Sequence, residues 1–162
     1  LHAGILSAKL KHLDALNDLR RKWATRYTAG LTGCGNLDLP VELPGYRHVF
    51  HLYVIETKKP EQRDALVNYL VDQGIDAKTH YSIAIHKQAG YPWGKGARVV
   101  GSVANAEANA ACCISLPMFP ELTEAEVDYV VVKVREWDKA NAATATTQPG
   151  VARSANSCAC SC

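Results

Sequence analysis

Long apolar runs are missing from this chain. Its hydrophobic stretches are only a few residues long, far short of the roughly 20 that a membrane-spanning helix needs. No basic start followed by an apolar core marks a signal peptide, so a cytoplasmic protein is the expectation. An excess of one charge is missing too, since 18 basic residues stand against 16 acidic ones for a formal net charge of +2. The basic residues form no stripe interleaved with aromatics, which argues against nucleic acid as a partner. There are no internal repeats. Zinc-ligand spacing is also lacking. Of the 6 cysteines, Cys158, Cys160 and Cys162 form C-x-C-x-C with no histidine nearby, unlike the paired C-x2-C of zinc ribbons. "GYPWGKGARVVGS" (90–102) lacks the spacing, and the Ser or Thr after Lys95, that a P-loop requires. Lys95 is left as a candidate phosphate contact on a loop. No Ser-His-Asp or Cys-His arrangement can be read from residue order.

What is present fits one soluble domain: 162 residues, 48% hydrophobic and 21% charged, enough to bury a core. The chain opens inside an apolar period without a capping signal, which reads as part of a longer chain. Leu6, Leu10, Leu13, Leu16, Leu19, Trp23 and Tyr27 recur at spacings of three and four, predicting one long helix that Gly30 ends. "TGCGNLDLPVELPG" (32–45) reads as a loop or irregular edge. "RHVFHLYVIET" (47–57) is dense in β-branched and aromatic residues and predicts a strand. A helix with Pro60 at its start, Leu66 and Leu70 on its buried side and Gly74 past its end follows. "IDAKTH" (75–80) predicts a second short strand, "SVANAEANAACC" (102–113) a short helix and "CISL" (113–116) a third strand. A capping box, Thr123 with Glu126, opens the last helix, whose buried stripe is Val127, Val130, Val131, Val134 and Trp137. Beyond residue 140 the chain is small, polar and aperiodic, so residues 141–162 are expected to be a disordered tail. The simplest packing of this order is an α+β fold, a small antiparallel or mixed sheet with helices on one face.

The histidines divide by context. His2, His12, His48 and His51 fall on predicted regular elements and read as surface or satisfied core residues. His80 and His86 follow a strand end, in "THYSIAIHKQAGY" (79–91) with Tyr81 and Tyr91. Loops held by a rigid scaffold are where binding groups sit, and imidazoles with phenols suit phosphates and sugar hydroxyls. The residues alone leave two readings open, a ligand-contacting loop or a polar loop whose tyrosines enter the core. Zinc on His80 and His86 has little support, because their spacing suits no helix face and no Asp, Glu or Cys lies between them. Cys112 and Cys113, adjacent in an apolar setting, read as core packing.

Taken in order, these segments resemble the C-terminal part of the DegT/DnrJ/StrS family of nucleotide-sugar aminotransferases. "LHAGILSAKLKHL" is similar to the family's LQAAIL-x-x-KL-x-x-L, and "RHVFHLYVI" to HVYHLYVIR. "RDALVNYLVDQGIDAKTHYSIAIHKQAGY" resembles RD-x-L-x-x-x-L-x-x-x-GI-x-x-x-x-HYPIPLHLQPAY. "AEANAACCISLPMFPELTEAEVDYV" resembles AE…SLPMYP-x-LT-x-x-QV-x-YV. Ser82 and Ala84 depart from the pattern, which has prolines there. The resemblance implies the small C-terminal domain, residues 1–140, of an aspartate-aminotransferase-fold enzyme. It implies a pyridoxal 5′-phosphate cofactor bound mainly by a large domain that would precede Leu1 and carry the Schiff-base lysine. It further implies transfer of an amino group from an amino acid, typically glutamate, to a nucleotide-linked keto-sugar, in a homodimer. His80 and Tyr81 match the family's HY pair and are the implied substrate-binding residues, with His86 secondary. Two other readings are a non-catalytic sensor or binding relative and an independent α+β interaction module.

Overall fold

Thr123 and Glu126 close the capping box as their spacing predicts. The Thr123 N–H donates to Glu126 Oε2 at 2.8 Å, and the Glu126 N–H donates to Thr123 Oγ1 at 3.3 Å. The computed structural model, which describes residues 1–92 and 95–142, has helix α5 at Glu124–Ala142. Its Val127, Val130, Val134 and Trp137 are buried, with Val131 half-buried beside them. The predicted tail from residue 143 onward lies outside the described residues.

Helix α5 packs on helix α2 (Leu13–Leu31), which buries Trp23, Ala24, Tyr27 and Leu31. Arg26 grips Asp128 with two bonds of 2.6 and 2.7 Å, and Lys22 meets Glu124 at 3.1 Å along the rim. The predicted stop at Gly30 is two residues early, since α2 runs to Leu31 and caps at Thr32, and the glycine has another use. A Cβ there would lie 2.7 Å from Val131 Cγ1, so the bare backbone lets α5 come close. Arg135 uses that approach to donate to the Gly30 carbonyl at 2.7 Å.

The single opening helix of the sequence reading is two. Helix α1 (His2–Leu10) ends in a turn at Lys11–His12, where the His12 N–H bonds back to Lys9 O at 3.0 Å. Leu6, Leu10, Leu13 and Leu19 are exposed, and α1 buries no residue. The apolar period is present, but only from Trp23 onward do other elements face the stripe.

Three antiparallel strands form the sheet, in the order β1 (Leu37–Asp38), β2 (Tyr53–Thr57), β3 (Cys113–Leu116). Tyr53 faces Leu116 and Ile55 faces Ile114 across the central pair, while Leu37 faces Thr57 at the edge. The predicted strand over 47–57 therefore forms only in its second half. Over residues 47–52 side chains take the place of a neighbouring strand. Arg21 and Arg20 donate to the carbonyls of His48 (2.6 Å) and His51 (3.3 Å), and Phe50 at φ +48° donates its N–H to His48 Nδ1. The predicted strand over 75–80 reduces to one bridge, Lys78 with Ser115.

One sheet face, Tyr53, Ile55, Thr57, Ile114 and Leu116, is buried in the core with α2, α5 and helix α3 (Pro60–Asp72). This is the α+β packing the sequence predicts. Tyr27 and Tyr53 stack at 5.0 Å between centroids, and burial pushes the Tyr53 phenol up to about 12. Helix α3 starts at Pro60, buries Leu66 and Leu70, and ends in a Schellman motif. Gly74 at φ +75° donates its N–H to Val71 O, and Ile75 donates to Leu70 O. That turn aims residues 75–80 back along the outer edge of β3. The other sheet face carries Val54, Glu56, Cys113 and Ser115. Helix α4 (Ala104–Cys112) holds to it through Asn109 Nδ2, which donates to Glu56 Oε1 at 2.8 Å.

Candidate functional site

The 79–91 loop leaves the sheet directly after the Lys78–Ser115 bridge, so its base is fixed by two backbone bonds of 3.1 and 2.7 Å. His80 is then tied to β3 twice. Its Nδ1 shares a 2.8 Å hydrogen bond with Ser115 Oγ, and its carbonyl accepts from Cys113 Sγ at 3.5 Å. The bond at Nδ1 orients the ring and leaves Nε2 for a ligand. Burial, followed by the nearby Glu56 carboxylate, pushes the Cys113 thiol up. This cysteine is thus a neutral hydrogen-bond donor that packs the sheet, as its apolar setting predicts.

Tyr81 follows in the left-handed region at φ +59° and is 83% exposed. That backbone conformation costs a non-glycine residue about 1–2 kcal/mol, and no burial of the ring offsets it. Its ring centre lies 6.5 Å from that of His80. The phenol therefore stands in solvent beside the one imidazole of the loop whose far nitrogen points away from the sheet.

His86 is placed differently. It lies in a short 3-10 turn, Ile85–Lys87, with its side chain 14% exposed. Its Nε2 is 2.8 Å from Glu107 Oε1 on α4, and Lys87 Nζ reaches the same oxygen at 3.1 Å. The bond to His86 first, and that to Lys87 second, hold the Glu107 carboxyl below the usual carboxylate range. The structure thus joins His80 and Tyr81 at the loop base and turns His86 to the loop's own support. Ser115, Cys113 and Glu107, which support these groups, were not singled out as site residues from the sequence. Ser115 is brought beside His80 by the bridge to Lys78, a pairing that no local pattern encodes.

His80 and Tyr81 are exposed, while the His86 side chain is largely covered. Two cavities lie elsewhere. One of about 360 Å³ opens between the end of α3 and α5, lined by Ile75, Phe119, Leu122 and Tyr129. The other, about 350 Å³, lies beside α2 and is lined by Arg21, Thr28, Glu42 and Phe50. Among the described residues no group of three or more His, Cys, Asp or Glu could hold a metal ion, and no helix is long and apolar enough to cross a membrane.

A lysine suited to covalent cofactor attachment needs a sheltered position close to a ligand cavity. Every described lysine except Lys133 is exposed, and Lys133 pairs with Glu136 at 2.8 Å. Neither cavity contains a lysine. Neither of these cavities therefore offers the lysine that a pyridoxal-phosphate pocket requires.

An α+β unit with a histidine–tyrosine loop at the sheet edge has close counterparts. The profile of the DegT/DnrJ/EryC1/StrS aminotransferase family matches residues 1–135, and the chain belongs to that family. It is 36% identical over 137 residues to the dTDP-3-amino-3,4,6-trideoxy-alpha-D-glucose transaminase of Streptomyces venezuelae, covering 85% of this chain and 35% of that protein. It is 40% identical over 144 residues to the pleiotropic regulatory protein of Geobacillus stearothermophilus, covering 85% and 36%. The solved structure of S. venezuelae DesV superposes with a TM-score of 0.76 at 36% identity, over 85% of this chain and 36% of that one. NtdA of Bacillus subtilis, solved with bound pyridoxamine phosphate (PMP), superposes at 0.66 with 27% identity, over 80% and 30%. The chain spans about a third of the length of the curated relatives it matches.

Proposed function

We propose that this chain is the substrate-contacting part of a pyridoxal-phosphate-dependent aminotransferase. That enzyme moves an amino group from an amino acid, glutamate foremost, to a nucleotide-linked keto-sugar, as a cytoplasmic homodimer. The observation that carries the proposal is the loop base. His80 is oriented by Ser115, and Tyr81 is exposed in a conformation that costs energy. Local strain of this kind persists where the surroundings enforce it, and it clusters at ligand sites. The activities of relatives, including the S. venezuelae transaminase and an Acidithiobacillus ferrooxidans 3-aminotransferase acting on a UDP-linked dehydroglucosamine, support the substrate class.

In this reading His80 and Tyr81 bind and orient. The free imidazole nitrogen and the phenol hydroxyl hydrogen-bond oxygens of the sugar nucleotide, with His80 held to the sheet through Ser115. His86 acts behind them. The electron-sink chemistry of transamination belongs to the cofactor, which other parts of the enzyme would hold. The test is glutamate-dependent amination of nucleotide keto-sugars by the enzyme carrying this chain. His80→Ala and Tyr81→Phe should each raise KM for the keto-sugar with cofactor absorbance unchanged. Unchanged KM in both variants refutes the site.

A second reading is favoured by the names of two relatives, the regulatory protein above and an erythromycin-biosynthesis sensory transduction protein 31% identical over 135 residues. Here the loop would bind a sugar nucleotide without catalysis. Binding of the nucleotide sugar with no amination by the cofactor-loaded protein would select it.

A further inference from the structure

Two segments separated in sequence meet at one carboxylate oxygen. Glu107 lies in the first half of α4, and its Oε1 takes both His86 Nε2 at 2.8 Å and Lys87 Nζ at 3.1 Å. Helix α4 cannot easily yield to these contacts. Its far end is held by Arg63 of α3, whose Nη1 donates to Ala110 O at 2.8 Å, and by the Asn109–Glu56 bond to β2. The helix then runs without a gap into β3, the strand that carries Ser115 and Cys113. The loop is thus pinned at two places on one rigid piece. His80 sits on Ser115 at its base, and His86 and Lys87 sit on Glu107 at its middle. Tyr81, Ser82, Ile83 and Ala84 bridge the two pins. The family pattern has prolines at 82 and 84, whereas Ser82 and Ala84 leave this backbone freer to move. With less stiffness in the backbone, side chains must hold the loop.

We propose that Glu107 is a positioning residue. By clamping His86 and Lys87 to α4 it fixes the span that presents Tyr81 and the free nitrogen of His80, and it touches no substrate itself. The inference rests on the reading of the 79–91 loop as a substrate-contacting loop, and it moves His86 from contact to support.

The tether is tested first in the cofactor-loaded enzyme that carries this chain, by amide hydrogen exchange. In Glu107→Ala the amides of Lys87, Gln88 and Tyr91, which bond to Ala84, Ile85 and Gln88 carbonyls, should exchange roughly three- to tenfold faster. Those of β2 should not change. Glu107→Gln keeps an acceptor for His86 and should restore most of the protection. Equal exchange in wild type and Glu107→Ala overturns the clamp.

The second measurement is kinetic, in the cofactor-loaded enzyme that carries this chain. Glu107→Ala should raise KM for the nucleotide keto-sugar roughly three- to tenfold with kcat nearly constant, and Glu107→Gln should recover it. If His80→Ala and Tyr81→Phe raise KM and Glu107→Ala does not, positioning by Glu107 is wrong while the site stands. If none of the three moves KM, the site reading itself is wrong.

Discussion

Replacing Gly30 by alanine sets two effects of opposite sign against each other. In an open helix the change gains about 1 kcal/mol, because alanine gives up less backbone entropy than glycine. At Gly30 the added methyl would lie 2.7 Å from Val131 Cγ1 and 3.0 Å from Cγ2, where carbons prefer about 3.5–4.0 Å. Val131 cannot swing aside, since a β-branched residue in a helix has one strongly preferred rotamer. Either α2 and α5 separate or Val131 leaves its well, at a cost of about 1–3 kcal/mol. The Arg135 bond to the Gly30 carbonyl, at 2.7 Å, is strained by the same shift. The clash wins, and Gly30→Ala should destabilise by about 1 kcal/mol net, a fall in Tm of roughly 2–4 °C. Urea unfolding followed by circular dichroism reads this as a lower midpoint with an unchanged slope. Val131→Ala removes the offending methyls, so in that background Gly30→Ala should turn neutral or stabilising. A gain in stability from Gly30→Ala in the wild-type background would refute the close-approach account.

Three further outcomes are expected. Asp138→Ala should cost about 2–4 kcal/mol in the same unfolding assay. It strands the N–H groups of Gly35 (3.1 Å) and Asn36 (2.9 Å), both now bonded to this buried carboxylate, and leaves the Asn36 side-chain amide only its 3.3 Å bond to the Asp138 carbonyl; a loss below about 1 kcal/mol contradicts that role. Tyr81→Val should be less stable than Tyr81→Gly by about 1–2 kcal/mol despite the exposure of the site, because a β-branched residue tolerates positive φ worst; equal stability would mean that the strain is absent. Thr123 holds Glu126, and Arg26 holds Asp128, below their usual carboxylate values. Since these folded values are lowered, their stabilisation is present above the ordinary carboxylate range near about pH 4 and is lost as pH falls through the folded values. Tm should therefore drop steadily below about pH 4 and more shallowly in Glu126→Gln; parallel curves would refute the assignment.

Elements whose partners are local were legible in the sequence. The capping box and the turn at Gly74 rest on bonds within a few residues, and Pro60 and the valine stripe of α5 show in local residue type and spacing. The ordered motifs also led to the family. Where the reading failed, distant parts of the chain decided the outcome. Residues 47–52 have strand composition, yet Arg20 and Arg21 bind their carbonyls. The leucines of α1 have helical period, yet nothing among the described residues covers them. Gly30 reads as a stop because local rules do not know that α5 passes within contact of it. At the candidate site, His80 and Tyr81 could be named from a motif. Ser115 and Glu107 could not, because hydrogen bonds across 35 and 21 positions leave no trace in local spacing.

The pairing of α2 with α5 also governs when the protein can fold during its synthesis. Trp23 reaches the Pro120 carbonyl at 3.1 Å, Tyr27 reaches that of Pro117 at 3.0 Å, and Asn36 depends on Asp138. None of these partners exists while the ribosome is still making β2 and α3. At about 5–20 residues per second, α2 waits roughly 5–20 s between leaving the peptidyl-transferase centre and meeting its mate. During that time Trp23, Tyr27 and Leu31 lack the α5 side chains that cover them. A stop codon anywhere before α5 yields a polypeptide whose α2 has nothing to close on.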